Sequence, residues 1–119
     1  VVFMDRLWIG VSIACLCAFM GAVAQIFFKM ASEKVEWVKL QTILNRELII
    51  AFLLYGLASL LFVHALKFGR VTVIYPVIST SYIWVMILGS KVLGEKVDLK
   101  SWLGAIMIIL GVYLIVAKS

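Results

Sequence analysis

The feature that most constrains this chain is a set of four apolar runs, at about 7–28, 48–66, 71–93 and 101–117, each bounded by charged residues. Each run is 17 to 23 residues long, and a helix crosses the hydrocarbon core of a bilayer in roughly 20 residues. Within hydrocarbon a helix satisfies every backbone N–H and C=O from its own segment, so all four runs are read as helices. The remaining residues cannot coat such a core with polar surface: 66% of the 119 residues are hydrophobic and 14% are charged, with a mean hydropathy of +1.19. A soluble enzyme, a secreted disulfide scaffold and a disordered tail are excluded. The expected fold class is an all-α membrane protein, a single four-helix transmembrane domain over 1–119, multi-pass in a cell inner membrane.

Arg6, the apolar stretch after it and Ala22-Val23-Ala24 loosely imitate a signal peptide; the stretch is read instead as a retained first span. Lys67-Phe68-Gly69-Arg70 is a tight turn and 94–100 a short polar loop, so the spans they join are antiparallel neighbours. In the longer first connection Val35, Trp37, Val38, Leu40, Ile43 and Leu44 fall largely on one helical face, against Lys34, Glu36, Lys39 and Gln41. This predicts a short amphipathic helix over about 33–46 lying in the headgroup region. Cys15 and Cys17, two apart on a helix, point roughly 200° apart and cannot pair; they are read as small hydrophobes. The net charge of +5 comes from residues that punctuate apolar runs, so they serve as headgroup anchors rather than a nucleic-acid surface. Seven Lys and Arg fall on one side of the membrane and four on the other, or five against four if Lys29 and Lys91 lie within the bilayer. That near-balance leaves the orientation open.

Function is sought where polar groups sit in or near lipid. All six acids (Asp5, Glu33, Glu36, Glu47, Glu95, Asp98) lie in termini or connections, which disfavours proton exchange against a cationic substrate. Lys29 closes the first span and Lys91 lies near the end of the third, at the same membrane face by chain direction. Gln25 stands one turn before Lys29, above a stripe of Gly10, Ala14, Ala18 and Gly21 that would let a helix or an acyl chain approach closely. Such a groove, ending in an amide and an ammonium, suits a long apolar tail with an anionic head. Snorkelling to the interface is the alternative for each lysine, and an ion pair with Glu95 is a further one for Lys91. Pro76 predicts a kink in the third span, where Tyr75, Ser79 and Tyr82 share one face and Thr80 and Trp84 another, as a pathway-lining helix would have them. His64, read as deep in the second span, could donate or titrate. Gly104 and Gly111, seven residues apart on one face, predict a dimer contact, because four thin spans cannot enclose a substrate alone. No metal cluster, phosphate loop or nucleophile–base pair is recognisable, so neither a cofactor nor an enzymatic activity is expected.

Together these residues resemble the drug/metabolite transporter superfamily in its small four-helix branch, on Gly94-Glu95, Gly104, Ile108 and Gly111-Val112. The small multidrug resistance proteins are similar in the Gly104/Gly111 pair, Tyr75 and a lysine matching Lys29. Their first-helix carboxylate would fall near Gly21, where it is absent, and their third-helix aromatic near Ile78. A closer resemblance is to the small flippase subunits for undecaprenyl-phosphate-linked aminoarabinose. It rests on Ala24-Gln25, Lys29, Ala31, Tyr75-Pro76, Ser79, Trp84-Val85, Lys91 and Glu95; Lys96 and Ser81 depart from that family's usual proline and asparagine. This resemblance implies a polyprenyl-phosphate-linked sugar as substrate. It further implies an antiparallel or pseudo-symmetric dimer, either a homodimer or a heterodimer with a related small subunit. The expected substrate-binding residues are Gln25, Lys29, His64, Tyr75, Ser79, Tyr82, Trp84 and Lys91. The rival readings are a small multidrug or polyamine exporter and a non-transporting membrane partner subunit.

Overall fold

The computed structural model describes residues 2–117 apart from Trp37, Leu40, Thr42 and Ile43. The described chain is helical over most of its apolar runs: α1 (Val2–Ser32), α2 (Arg46–Ala65), a 3-10 turn (Leu66–Phe68), α3 (Val71–Ile78), α4 (Ser81–Val92) and α5 (Leu99–Ala117). Four membrane-crossing stretches result, because α3 and α4 share one of them over Val71–Val92. α1 has 31 residues, about 46 Å at 1.5 Å per residue, so both of its charged ends reach beyond a roughly 30 Å hydrocarbon layer.

Local chemistry ends and starts these helices. Asn45 caps α2 by accepting from the Leu48 amide at 2.9 Å, and its own amide lies 3.4 Å from the Ala31 carbonyl. The entry of α2 is thereby tied to the exit of α1. Asp98 accepts the Ser101 amide at 3.0 Å at the start of α5. Gly94, at φ +72°, ends the α4 run in the left-handed region that only glycine enters cheaply. The chain then folds back, with the Glu95 amide donating to the Gly89 carbonyl at 3.1 Å.

The kink expected at Pro76 takes the form of a break three residues later. Pro76 stays inside α3, and the chain tightens at Ser79–Thr80 through i→i+3 bonds: Ser79 to Pro76 at 3.0 Å and Thr80 to Val77 at 3.1 Å. Both hydroxyls also turn back onto the helix, Ser79 Oγ to the Pro76 carbonyl at 2.5 Å and Thr80 Oγ1 to that of Val77 at 2.8 Å. Such back-bonding competes with regular α-helix and bends it. The amphipathic segment expected over 33–46 is not one continuous helix among the described residues. Glu33–Lys34 form a turn, Lys39 donates back to the Glu36 carbonyl at 2.9 Å, and Val38 and Leu44 are exposed. Trp37, Leu40 and Ile43 of the expected apolar face lie outside the described residues.

α1 is the central helix, packing on α2, α3 and α4, while α5 rests mainly on α3. Its buried side is built of small residues, with Ala14, Ala18, Ala22 and Ala24 fully buried. α2 answers with Ala51, Ala58 and Ala65 at a seven-residue interval. In lipid there is no hydrophobic drive to join helices, so close approach through small side chains holds the pair together. The cluster of Ala14, Ala65, Ile74 and Val77 joins α1, α2 and α3, and Val112 and Val116 of α5 close over it. The chain measures 55 × 34 × 19 Å, and 19 Å is only about two helix diameters.

Candidate functional site

A crevice of about 150 Å³ opens between α1, α2 and α3, lined by Cys17, Gly21, Tyr55, Ala58, Ser59, Phe62, Tyr75 and Ile78. Its wall is apolar and uncharged, with three hydroxyls. Ser59 already donates to the Tyr55 carbonyl at 2.9 Å, so its oxygen faces a ligand chiefly as an acceptor. The Tyr75 ring packs edge-on against Phe62 at 5.8 Å yet remains 63% exposed. This surface fits a stretch of hydrocarbon chain with an occasional hydroxyl contact; it offers nothing to neutralise a phosphate.

Charge is confined to the two ends. Lys29, in the last turn of α1, is half exposed and its Nζ lies 3.9 Å from Glu33 Oε1. Gln25 is exposed one turn below. Lys91 is exposed in the last turn of α4 and has no ion pair or hydrogen bond among the described residues. The pair considered with Glu95 does not form, since α4 ends at Val92 and Glu95 turns back toward Gly89. α1 and α4 touch through Phe19 and Trp84, edge to face at 5.0 Å. Lys29 and Lys91 follow that contact by ten and seven residues, about 15 and 10 Å of helix rise, which sets both ammonium groups near one membrane level.

The structure separates residues that the sequence placed together. Gly10, Ala14 and Ala18 are buried against neighbouring helices, so that part of the small-residue stripe is a helix seam, whereas Gly21, its member nearest Gln25, lines the crevice. Of the third-span face, Tyr75 alone lines the crevice; the turn at Ser79–Thr80 carries Ser79 and Tyr82 away from it. Trp84 packs on Phe19. His64 is not deep in the membrane but in the last turn of α2, exposed, with its ring 5.4 Å from that of Phe68. Cys17 is buried at the crevice while Cys15 faces outward, and both are free thiols. Sequence reasoning missed Tyr55 and Ser59. Their spacing of four, with Phe62 three further on, marks one helical face beside the Ala51/Ala58/Ala65 seam.

Around Gly104 and Gly111 the space is open, since an added Cβ at either would meet nothing within 4 Å. α5 carries a continuous exposed apolar surface that includes Met107, Leu110 and Leu114.

A thin helical protein with four stretches long and apolar enough to cross a membrane, and with its charged groups at the ends of those stretches, is a small multi-pass membrane protein. The EamA-like transporter family matches residues 11–117, and the chain belongs to that family. It is similar to the probable 4-amino-4-deoxy-L-arabinose-phosphoundecaprenol flippase subunit ArnE of Pectobacterium atrosepticum, 32% identical over 107 residues that cover 87% of this chain and 92% of that protein. The protein of the same description from Pseudomonas savastanoi pv. phaseolicola is 26% identical over 89% of this chain and 93% of its own length. Its counterpart from Escherichia fergusonii is 27% identical over 92% and 96%. No solved structure matches the chain.

Proposed function

We propose that this protein is a flippase subunit that moves a polyprenyl-phosphate-linked sugar across the bacterial inner membrane, as a transporter rather than an enzyme. The observation that carries the reading is the separation of an uncharged, hydroxyl-bearing crevice from cations at the membrane ends. A prenyl tail matches the first and a phosphate the second. Unescorted transfer of a phosphate through about 30 Å of hydrocarbon is prohibitive on solvation grounds. The relatives, which align over nearly their whole lengths, carry names of the same substrate class.

In this mechanism Lys29, with Gln25 one turn below, receives the phosphate, and Lys91 at a similar level supplies a second cation. Tyr75 and the neighbouring hydroxyls steer the tail along the crevice while most of it stays in lipid. Ser79, Tyr82, Trp84 and His64 lie off the crevice and take no part in holding the tail there. A protomer 19 Å thin cannot shield a sugar headgroup, so a second copy or a related small subunit completes the cavity. The open Gly104/Gly111 face of α5 is the contact.

Native mass spectrometry of the purified protein with undecaprenyl phosphate, scored against a lipophilic cation, tests this. Wild type should bind the prenyl phosphate selectively. Lys29→Ala should weaken binding about tenfold and abolish transport in vesicles without preventing membrane insertion. Preferential binding of the cation, indifferent to Lys29→Ala and Lys91→Ala, would refute the reading in favour of a cation exporter.

A further inference from the structure

The two ends of the protein differ in their acids. At the Lys29 end Lys29 lies by Glu33, Lys34 by Glu47 and Lys39 by Glu36, while Lys91, Lys96 and Lys100 have no carboxylate within 4 Å among the described residues. At the opposite end Arg6, Lys67 and Arg70 are all exposed, and none has a carboxylate within 4 Å among the described residues. Asp5 is the one acid of that end in the sequence.

This end is also firmly built. The turn that carries Lys67 and Arg70 is docked onto the first turns of α1. Arg6 Nη2 donates to the Lys67 carbonyl at 3.1 Å, and its guanidinium lies over the Phe68 ring at 5.6 Å. A Cβ on Gly10 would come within 2.9 Å of Phe68 Cβ, and one on Gly69 within 3.1 Å of Leu7 Cδ1, so no slack exists between turn and helix. Arg70 also precedes α3 without giving it a side-chain cap; the Val73 amide is taken by the Arg70 carbonyl at 3.0 Å, which leaves the Val71 and Thr72 amides directed toward the same end. Arg6, held by the Lys67 carbonyl and the Phe68 ring, shares this end with Lys67 and Arg70 on the turn docked against it, and cations without a carboxylate partner at a membrane surface match a phosphate ester.

We propose that Arg6, Lys67 and Arg70, carried by the start of α1 and the turn docked against it, form a binding station for the phosphate of a membrane lipid at the end opposite Lys29. The inference does not rest on the identity of the transported substrate. In a flippase the same station would receive the headgroup on the far side of the membrane.

The test uses the full chain in native mass spectrometry, with phosphatidylglycerol, undecaprenyl phosphate, phosphatidylcholine and inorganic phosphate as separate probes. The double variant Lys67→Gln/Arg70→Gln keeps Arg6 and hence the docking of the turn. Lys96→Gln/Lys100→Gln removes the same charge from the other end. The first variant should weaken binding of the anionic lipids by about fivefold for each charge removed, leave phosphatidylcholine unchanged, and be unmatched by the second. Loss confined to undecaprenyl phosphate would make the station part of the transport route; loss for both anionic lipids would make it a general headgroup site. Equal loss in both variants, no loss in either, or sensitivity of inorganic phosphate alone would overturn the proposal. A result in which Lys29→Ala weakens undecaprenyl phosphate while Lys67→Gln/Arg70→Gln changes nothing would reject this station and leave the Lys29 reading standing.

Discussion

Gly10 offers a sharp test of how the helices are held. It lies in α1 where that helix meets the end of α2, the following turn and the start of α3. An added Cβ would stand 2.9 Å from Phe68 Cβ, 3.0 Å from Ile74 Cδ1 and 3.2 Å from the Ala65 carbonyl oxygen. Only the Ile74 methyl is the end of a flexible side chain; a Cβ and a carbonyl move only with their backbone. Gly10→Ala therefore forces the α2–α3 turn away from α1, and overpacking of this kind costs about 1–3 kcal/mol. Against it stands the gain from replacing a helical glycine, about 0.5–1 kcal/mol. The net is a loss of up to about 2.5 kcal/mol, or as much as a roughly 70-fold fall in the folded-to-unfolded ratio. Gly56→Ala, in the middle of α2 with nothing within 4 Å of its added Cβ, keeps the gain without the clash. Unfolding in mixed micelles with increasing SDS, followed by tryptophan fluorescence and circular dichroism, should order the proteins Gly56→Ala, wild type, Gly10→Ala. A Gly10→Ala protein as stable as Gly56→Ala would show that α1 and the turn are not in contact as described.

Two further outcomes follow from helix ends and open faces. Gly104→Leu and Gly111→Leu should leave helical content unchanged, because the space around both is open, but should lower the dimer fraction in native mass spectrometry; an undiminished dimer would place the contact on another helix. Asp98, held below the ordinary carboxylate range mainly by the Ser101 amide, steadies α5 most where it is ionised. Its contribution is complete above the usual aspartate value of about 3.9 and is lost as pH falls through the lower folded value. The protection of the Ser101 and Trp102 amides against hydrogen exchange, taken relative to the intrinsic rate at each pH, should fall on acidification in wild type and be low at every pH in Asp98→Ala. In Asp98→Asn that protection should persist and be indifferent to pH, since asparagine also caps; an acid-sensitive Asn variant would contradict the assignment.

Much of the architecture is readable from the linear chain because a membrane span is a local property. Length, hydropathy and flanking charge are enough to define a helix that must satisfy its own backbone. The runs at 7–28, 48–66, 71–93 and 101–117 accordingly reappear in the four membrane-crossing stretches. The lack of any carboxylate in the middle of a span is also a sequence fact, and the placing of Lys29 and Lys91 at one end follows from the alternating direction of the spans.

What the chain could not disclose by itself is which side of each helix meets protein. Hydropathy patterns reveal a buried face only when the other face is polar, and here both faces are apolar because the solvent is lipid. The decision passes to side-chain size. Ala51, Ala58 and Ala65 form a seam because α1 presents small residues to it. Gly10 has no room for a Cβ because a turn more than fifty residues away lies against it. The same packing places Tyr55 and Ser59 in a crevice with Tyr75, moves His64 to the end beside Phe68, and draws Arg6 onto the turn that carries Lys67 and Arg70. Spans are written in the composition of short segments; faces, crevice and converging charges arise only when segments distant in sequence approach closely enough for a single methyl group to matter.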